Sequence, residues 1–255
     1  MYNLNDKDLN NHNYKQRRSL LYNIKLIANN KDTSNLISLQ NLEKGSFLAE
    51  ERKPVKGIYF ILEGKVKVFN TGIDQNIQTL RLVSMGDLVG LSSLSSTHYW
   101  SSAVVIENVQ AYFINLKNLK FILKNYNKVS LLLVNSLAMK LGHYEMRQKH
   151  LAVFPASERI IDALLLTAYK FGVTTDKGLE ISTCTSRTDI SSFANTSREK
   201  AIRTLSYLKS KKYIDVTGKN IVIKDKNALI KLLNKYLHTN ADSSNIQPLY
   251  PNLFY

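Results

Sequence analysis

Asp189-Ile190-Ser191-Ser192-Phe193-Ala194-Asn195-Thr196-Ser197-Arg198-Glu199-Lys200-Ala201-Ile202-Arg203 is the stretch that decides how this chain is read. Ser186-Arg187-Thr188-Asp189 fits a capping box that opens a short helix, to which Ile190, Phe193 and Ala194 give a small apolar face. Asn195 falls where a tight turn needs left-handed backbone, a conformation asparagine tolerates better than most residues. Thr196 or Ser197 then caps a second helix, on which Ala201, Ile202, Leu205 and Leu208 are expected to point inward. Glu199 and Arg203, one turn apart, share the outward face. Arg198 lies off that stripe, but in the first turn its long side chain reaches past the helix end. Helix, tight turn and helix is the layout whose second member enters the DNA major groove N-terminus first.

The residue types suit that task. An arginine gives two parallel hydrogen bonds to guanine O6 and N7, and a glutamate accepts from a cytosine amino group. Arg198, Glu199 and Arg203 are the candidates for base contacts. Ser186, Arg187, Ser197 and Lys200 are short donors or cations placed to hold phosphates beside the exposed N–H groups of the helix start, and Thr196 joins this DNA-facing set. Taken alone, Glu199 and Arg203 also fit a surface salt bridge; the helix before them, the turn asparagine and the hairpin after them favour base reading.

Downstream, Lys212 to Val216 and Asn220 to Ile223 are expected to pair around Gly218-Lys219, which would place Lys219 at the tip of a wing that reaches the DNA backbone. A last helix, Asn227 to Leu237, closes this domain, and a polar tail with aromatic residues follows from Thr239. Upstream, a strand is expected near Leu179 to Thr183, and an amphipathic helix runs from Ser157 to Phe171 and stops at Gly172. Val153-Phe154-Pro155 is the candidate hinge, which sets the domain at 155–238.

Before the hinge, 127–154 reads as one long helix with no proline before Pro155 and a single glycine, Gly142. About 25 residues at 1.5 Å each span ~37 Å, long for one globular layer. Leu133, Leu137, Tyr144, Gln148 and Leu151 fall along one narrow stripe, as the seam between two copies of the helix would. Earlier still, 36–126 changes texture: Gly57 to Leu62 and Val66 to Phe69 are β-rich runs joined by Glu63-Gly64, and Ala103 to Ile106 and Val109 to Ile114 flank Glu107-Asn108. Both pairs read as hairpins, and many short strands at regular spacing imply a closed antiparallel roll. Residues 1–35 are polar, with few apolar anchors, and read as a mobile lead-in or a helix with weak ends.

Bulk composition narrows the chemistry. The chain has 255 residues, 44% of them hydrophobic, and a formal net charge of +15, which suits a polyanionic partner. The excess is spread, with 15 Lys/Arg against 8 Asp/Glu in 155–238 and 20 against 11 in 1–154. One cysteine, Cys184, excludes an internal disulfide and a four-cysteine zinc or iron–sulfur site; it reads as a small strand residue or a redox switch. No apolar run is long enough to span a bilayer, and the N-terminus has no secretory pattern, so a cytoplasmic location is expected. His12, His98, His143, His150 and His238 supply no paired metal spacing, and no cofactor is expected.

With these features in place, the chain resembles the Crp–Fnr family of bacterial transcription regulators over about Gly45 to Ile223. The resemblance is carried by Ser197-Arg198-Glu199 with Arg203, by Thr217-Gly218-Lys219-Asn220-Ile221-Val222, and by Gly86-Asp87-Leu88-Val89-Gly90. It implies an α+β protein: an N-terminal antiparallel β-roll (cyclic-nucleotide-binding-like jelly roll), a long dimerisation helix and a C-terminal winged helix-turn-helix. It implies Arg198, Glu199 and Arg203 as the base-reading trio. Their Arg-Glu-x-x-x-Arg form is similar to the catabolite-activator version, with half-sites like TGTGA and recognition helices about 34–36 Å apart in a dimer. It implies duplex DNA, a second copy of the chain, RNA polymerase and a small-molecule effector of unknown identity as partners, and no membrane.

The resemblance departs at the effector pocket, assigned to Gly90, Leu91, Ser101 and Ser102. Where cAMP binders carry a ribose-holding glutamate this chain has Leu91, and where they carry a phosphate-pairing arginine it has Ser101. A cyclic phosphodiester would lose its charge partner, so cAMP is disfavoured. The run Gly-Asp-Leu-Val-Gly-Leu is similar to the Fnr branch, whose four-cysteine clusters this chain cannot hold. Two other readings remain: a metal-dependent β-roll enzyme tethered to DNA, against which the absent histidine cluster weighs, and an architectural or replication winged-helix protein without sequence choice.

Overall fold

The computed structural model describes residues 12–72 and 76–237; the expected tail from Thr239 lies outside the described residues. The chain divides into two compact units within one long helix, between Gly142 and His143, with Ile77–Thr79 counted in the second unit.

The first unit opens with α1 (His12–Asn29), in a stretch that the sequence reads as a mobile lead-in or a helix with weak ends; it is the helix. Its Leu20, Ile24 and Ile27 are buried in a cluster with Ile58, Phe60, Ile114, Leu119 and Ile122. Steps of four and three residues put them on one helical face, and the Asn and Lys residues around them mask it in the composition.

The sheet consists of β1 (Ser38–Leu42), β2 (Phe47–Ala49), β3 (Gly57–Thr71), β4 (Ile77–Val83), β5 (Leu88–Val89) and β6 (Ser102–Asn115). Its order is β1-β6-β3-β4, with β2 on β6 and β5 on β3. Neither expected hairpin exists here. β3 and β6 each run through the supposed turn and pair antiparallel with one another, from Gly57 opposite Asn115 to Phe69 opposite Ser102, with register shifts between Ile61 and Val66.

Side chains show why the ladder must slip. Ile61, Val66 and Val68 share a core cluster with Val105, Val109 and Ala111, yet 61 and 66 differ by an odd number. In an unbroken strand they would face opposite sides. The irregularity around Gly64 shifts the alternation by one and returns β3 to the same core. Gly64 has φ +92°, and a Cβ there would lie 2.1 Å from the Asn108 carbonyl oxygen, so glycine is required where the two backbones approach. A glycine turn and a glycine bulge make the same local demand, which is why the sequence reads as a turn.

α2 (Leu116–Asn125) is capped by Asn115, whose side chain accepts from the Asn118 N–H at 2.8 Å. α3 (Asn127–Val153) has 27 residues and is about 40 Å long. Its Val129 and Leu133 are buried in the cluster that holds α1.

The second unit contains the end of α3, then α4 (Ala156–Phe171), β7 (Val173–Thr175), β8 (Gly178–Ile181), α5 (Arg187–Ala194), α6 (Arg198–Ser210), β9 (Ile214–Thr217), β10 (Asn220–Ile223) and α7 (Lys226–Leu237). Its sheet order is β7-β8-β10-β9. The expected strand ends at Ile181, so Cys184 is not a strand residue: it lies in the following loop with φ 56°. Ile160, Leu164 and Leu165 of α4, Ala201, Leu205 and Leu208 of α6, and Ile214 and Ile221 of the sheet form the interior.

Candidate nucleic-acid interface

α5, its turn and α6 form as the residues demand. Ser186 accepts from the Asp189 N–H at 3.0 Å, as an N-cap does, and donates its hydroxyl to the Asp189 carboxylate at 2.6 Å. Asn195 ends α5 in the left-handed region, with φ 49° and ψ 57°. Ser197, rather than Thr196, caps α6 by accepting from the Lys200 N–H at 3.2 Å.

The inner face of α6 is Ala201, Thr204, Leu205 and Leu208. Ile202 does not belong to it: it is 44% exposed, because the helical repeat places it on the flank between buried and outward faces. Arg198, Glu199 and Arg203 are all exposed, with Ser206 one turn beyond Ile202. Ser206 and Ile202 were missed as exposed positions of α6; the period, read from Ala201 and Leu205 outward, would have found both.

Glu199 is held ready to accept. Its own backbone N–H and the Ser197 hydroxyl donate to its carboxylate, and Arg198 and Arg203 add positive charge, which together hold its carboxyl below the usual range. An exposed carboxylate flanked in sequence by arginines is a set of side chains that can accept from one base edge and donate to its neighbours.

The wing stands beside this helix. Thr217 pairs with Asn220 across Gly218-Lys219, and Lys219 is exposed at the tip. The buried Thr185 hydroxyl donates to the Lys219 carbonyl, tying the wing to the residue before the Ser186 cap. Thr196, Ser197 and Lys200 thus lie at the start of α6, and Ser186 and Arg187 at the capped start of α5, to which the Thr185 bond ties the wing that carries Lys219.

Sequence reasoning missed the support behind the turn. Asp162 of α4 is fully buried and receives Arg147 on one carboxylate oxygen and His150 Nδ1, at 2.9 Å, on the other. The other arm of Arg147 donates to the Phe193 carbonyl, and its guanidinium carbon sits 4.9 Å from the Phe193 ring centre. Arg159 donates to the carbonyls of Ala194 at 3.0 Å and Asn195 at 3.1 Å.

On α3 the expected seam residues divide. Leu133 is only 5% exposed and packs within its own unit, so it is not available to a second chain. Leu137 and Gln148 are exposed, and Tyr144 and Leu151 are half-buried. The exposed apolar stripe is Leu131, Val134, Leu137 and Leu141, roughly a quarter turn from the expected line.

In the roll, Gly90 and Ser101 line a cavity with Arg81, Ser93 and Tyr99, but its volume is only about 10 Å³. Leu91 points instead into the cluster under α1, and Ser102 accepts from the Glu51 N–H at 3.0 Å; neither lines the cavity. Tyr99 is buried, donates to the Gly57 carbonyl at 3.0 Å and accepts from the N–H groups of Lys56 and Gly57. Arg81 donates to the Leu88 carbonyl at 3.1 Å. Among the described residues no group of three His, Cys, Asp or Glu could hold a metal ion, and no helix is long and apolar enough to cross a membrane.

Two family models match the chain: a cyclic nucleotide-binding domain over residues 39–126 and a Crp-like helix-turn-helix domain over residues 158–232. The chain is 26% identical over 179 residues to a global nitrogen regulator from Synechocystis, covering 69% of this chain and 80% of that protein. It is 24% identical over 189 residues to a CRP-like cAMP-activated global transcriptional regulator from Mycobacterium tuberculosis, covering 74% and 84%. Among solved structures, FixK2 from Bradyrhizobium japonicum superposes with a TM-score of 0.68 at 21% identity, covering 81% of this chain and 99% of that one. A CRP-family transcriptional regulator from Thermus thermophilus also reaches 0.68, at 18% identity, covering 79% and 100%.

Proposed function

The chain belongs to the Crp–Fnr family of transcription regulators, with a helix-turn-helix DNA-binding domain, and on that premise we propose that it reads a near-palindromic site with TGTGA-like half-sites as a homodimer. The observation that carries this reading is the exposed start of α6, where Arg198, Glu199 and Arg203 face outward from a helix whose opposite side is buried. Glu199 supplies an acceptor for a cytosine amino group, and the arginines supply paired donors for the guanine O6 and N7 that such a half-site presents. Ser186, Arg187, Thr196, Ser197, Lys200 and Lys219 hold phosphates and set the register without choosing bases.

Two copies join along α3. Leu131, Val134, Leu137 and Leu141 expose an apolar stripe with steps of three and four residues, which two helices bury against each other. The chain works in the cytoplasm, does no covalent chemistry and carries no cofactor. RNA polymerase is its partner at the promoter. Its roll does not respond to cAMP: a cavity of about 10 Å³ holds no more than a water, against roughly 300–1,000 Å³ for small-molecule pockets.

Fluorescence anisotropy on TGTGA-bearing and random duplexes at matched salt tests the central reading. The expected result is at least about a thousandfold preference for the former. Equal affinity for both overturns base reading in favour of architectural binding. Sedimentation of Leu131→Glu and Leu141→Glu should give monomers where the unaltered chain gives dimers, and micromolar cAMP affinity by calorimetry would overturn the effector assignment.

A further inference from the structure

The second unit buries a polar cluster while the trio at the start of α6 is exposed. Asp162 is fully buried, the Arg147 side chain is 11% exposed and His150 is 2% exposed. A buried ion pair is weak evidence for stability, because desolvation consumes most of its attraction, so its placement needs another reason. The placement is specific. The last turn of α5 leaves carbonyls without intrahelical donors. Those of Phe193, Ala194 and Asn195 each accept from a guanidinium, the first from Arg147 of α3 and the next two from Arg159 of α4. Asn195 is the left-handed residue of the turn, and Ser197, two residues on, is the cap of α6. Arg147 thus bridges three elements, α3, α4 and α5, at the point where the backbone turns toward the base-reading helix. A lysine there has one ammonium and cannot present two coplanar arms to Asp162 and to Phe193.

We propose that Arg147, fixed by Asp162, is a positioning residue for base reading: it sets the turn between α5 and α6, and with it the aim of Arg198, Glu199 and Arg203, from the end of the long helix. This rests on the reading of α6 as the recognition helix. Arg147 touches no base. Its loss leaves the phosphate contacts at the edge of the interface in place, so it acts on the difference between right and wrong sequences rather than on affinity for DNA in general.

The experiment compares full-length Arg147→Lys, the double variant Arg147→Met with Asp162→Asn, and Arg198→Ala on TGTGA-bearing and random duplexes at matched salt, with thermal melting alongside. The double variant removes both charges, so no unpaired carboxylate remains buried if Arg147→Lys fails to fold. The expected result is about a tenfold or greater loss on the specific duplex and less than about twofold on the random one, as one misplaced bidentate contact would give. Hydrogen exchange at the Thr196 N–H, which donates to the Ser191 carbonyl at 3.0 Å, should speed up in the same variants. If Arg198→Ala lowers specificity while folded Arg147 variants keep it, the positioning role is overturned and the cluster is structural. If Arg198→Ala changes neither duplex, the reading of α6 itself has failed.

Discussion

Tyr99 in the β-roll and Arg198 at the head of α6 both sit beside a sharp backbone turn, and they meet opposite fates. Tyr99 is buried and its hydroxyl is engaged on both sides, donating to Gly57 and accepting from Lys56 and Gly57. Arg198 projects into solvent with Glu199 and Arg203 near it, while arginines 147 and 159 take up the backbone carbonyls behind it. The first region satisfies its polar groups internally and closes its space. The second satisfies its backbone internally and leaves its side chains for a partner. A region of the first kind has little to offer a ligand, and one of the second kind is incomplete until something charged arrives.

That contrast breaks most violently at Gly64. A Cβ at this position meets backbone at 2.1 Å and the residue keeps φ +92°, so Gly64→Ala is expected to cost about 3 kcal/mol or more. The single tryptophan, Trp100, belongs to the roll, so its fluorescence in urea follows this unit selectively. Unfolding at unchanged urea would mean the strands separate freely at the bulge. Next in size, Arg198→Ala should cost about 1–3 kcal/mol on a specific duplex and relax choice at one guanine. A loss equal on every sequence would instead make Arg198 a phosphate clamp. Tyr99→Phe should cost about 1–2 kcal/mol by the same fluorescence assay, since it strands a buried carbonyl and two N–H groups, with no gain of cAMP binding. Gain of binding would show that the hydroxyl alone kept the pocket shut.

Glu199 sharpens the other side of the contrast. Its carboxyl is held below the usual range by its own N–H, by Ser197 and by the two arginines, so it stays ionised in the folded chain at pH values where a free glutamate begins to protonate. Because the folded-state value is the lower one, whatever the contact contributes is present above the unfolded value and fades only as pH falls through the folded one. Base choice at its position should therefore persist at pH values where a free glutamate begins to protonate, and carboxyl NMR should show Glu199 titrating below the ordinary glutamate value.

How legible each region was follows from the range of its contacts. The cap at Ser186 and the left-handed Asn195 are settled within four residues, and the sequence alone places them; for α6 it offers Thr196 or Ser197, and the structure takes Ser197. Glu63-Gly64 and Glu107-Asn108 look like turns by the same local grammar, yet each is settled by a strand more than forty residues away. The α1 anchors, the Tyr99 hydroxyl and the Arg147–Asp162 pair were illegible for that reason: each needs a partner that no window of sequence contains. The expected stripe on α3 lost Leu133 because a row of apolar residues does not say which of its edges the chain's own core will take, and the core took Leu133.

The smallest expected effect is at Gly218, and it isolates conformation from crowding. Gly218 and Gly64 both have positive φ, +60° and +92°, but a Cβ on Gly218 meets nothing within 4 Å. Only the left-handed penalty remains, so Gly218→Ala should cost about 1 kcal/mol against the several expected at Gly64. The wing tip carries Lys219, whose carbonyl is held by Thr185, so the lysine should keep its place through that bond. Specific and random duplexes should then weaken together and by less than about twofold, with the salt slope unchanged. A fall in the salt slope by about one would mean that Gly218 fixes the lysine's aim as well as the turn, and the wing would then be as finely held as the helix beside it.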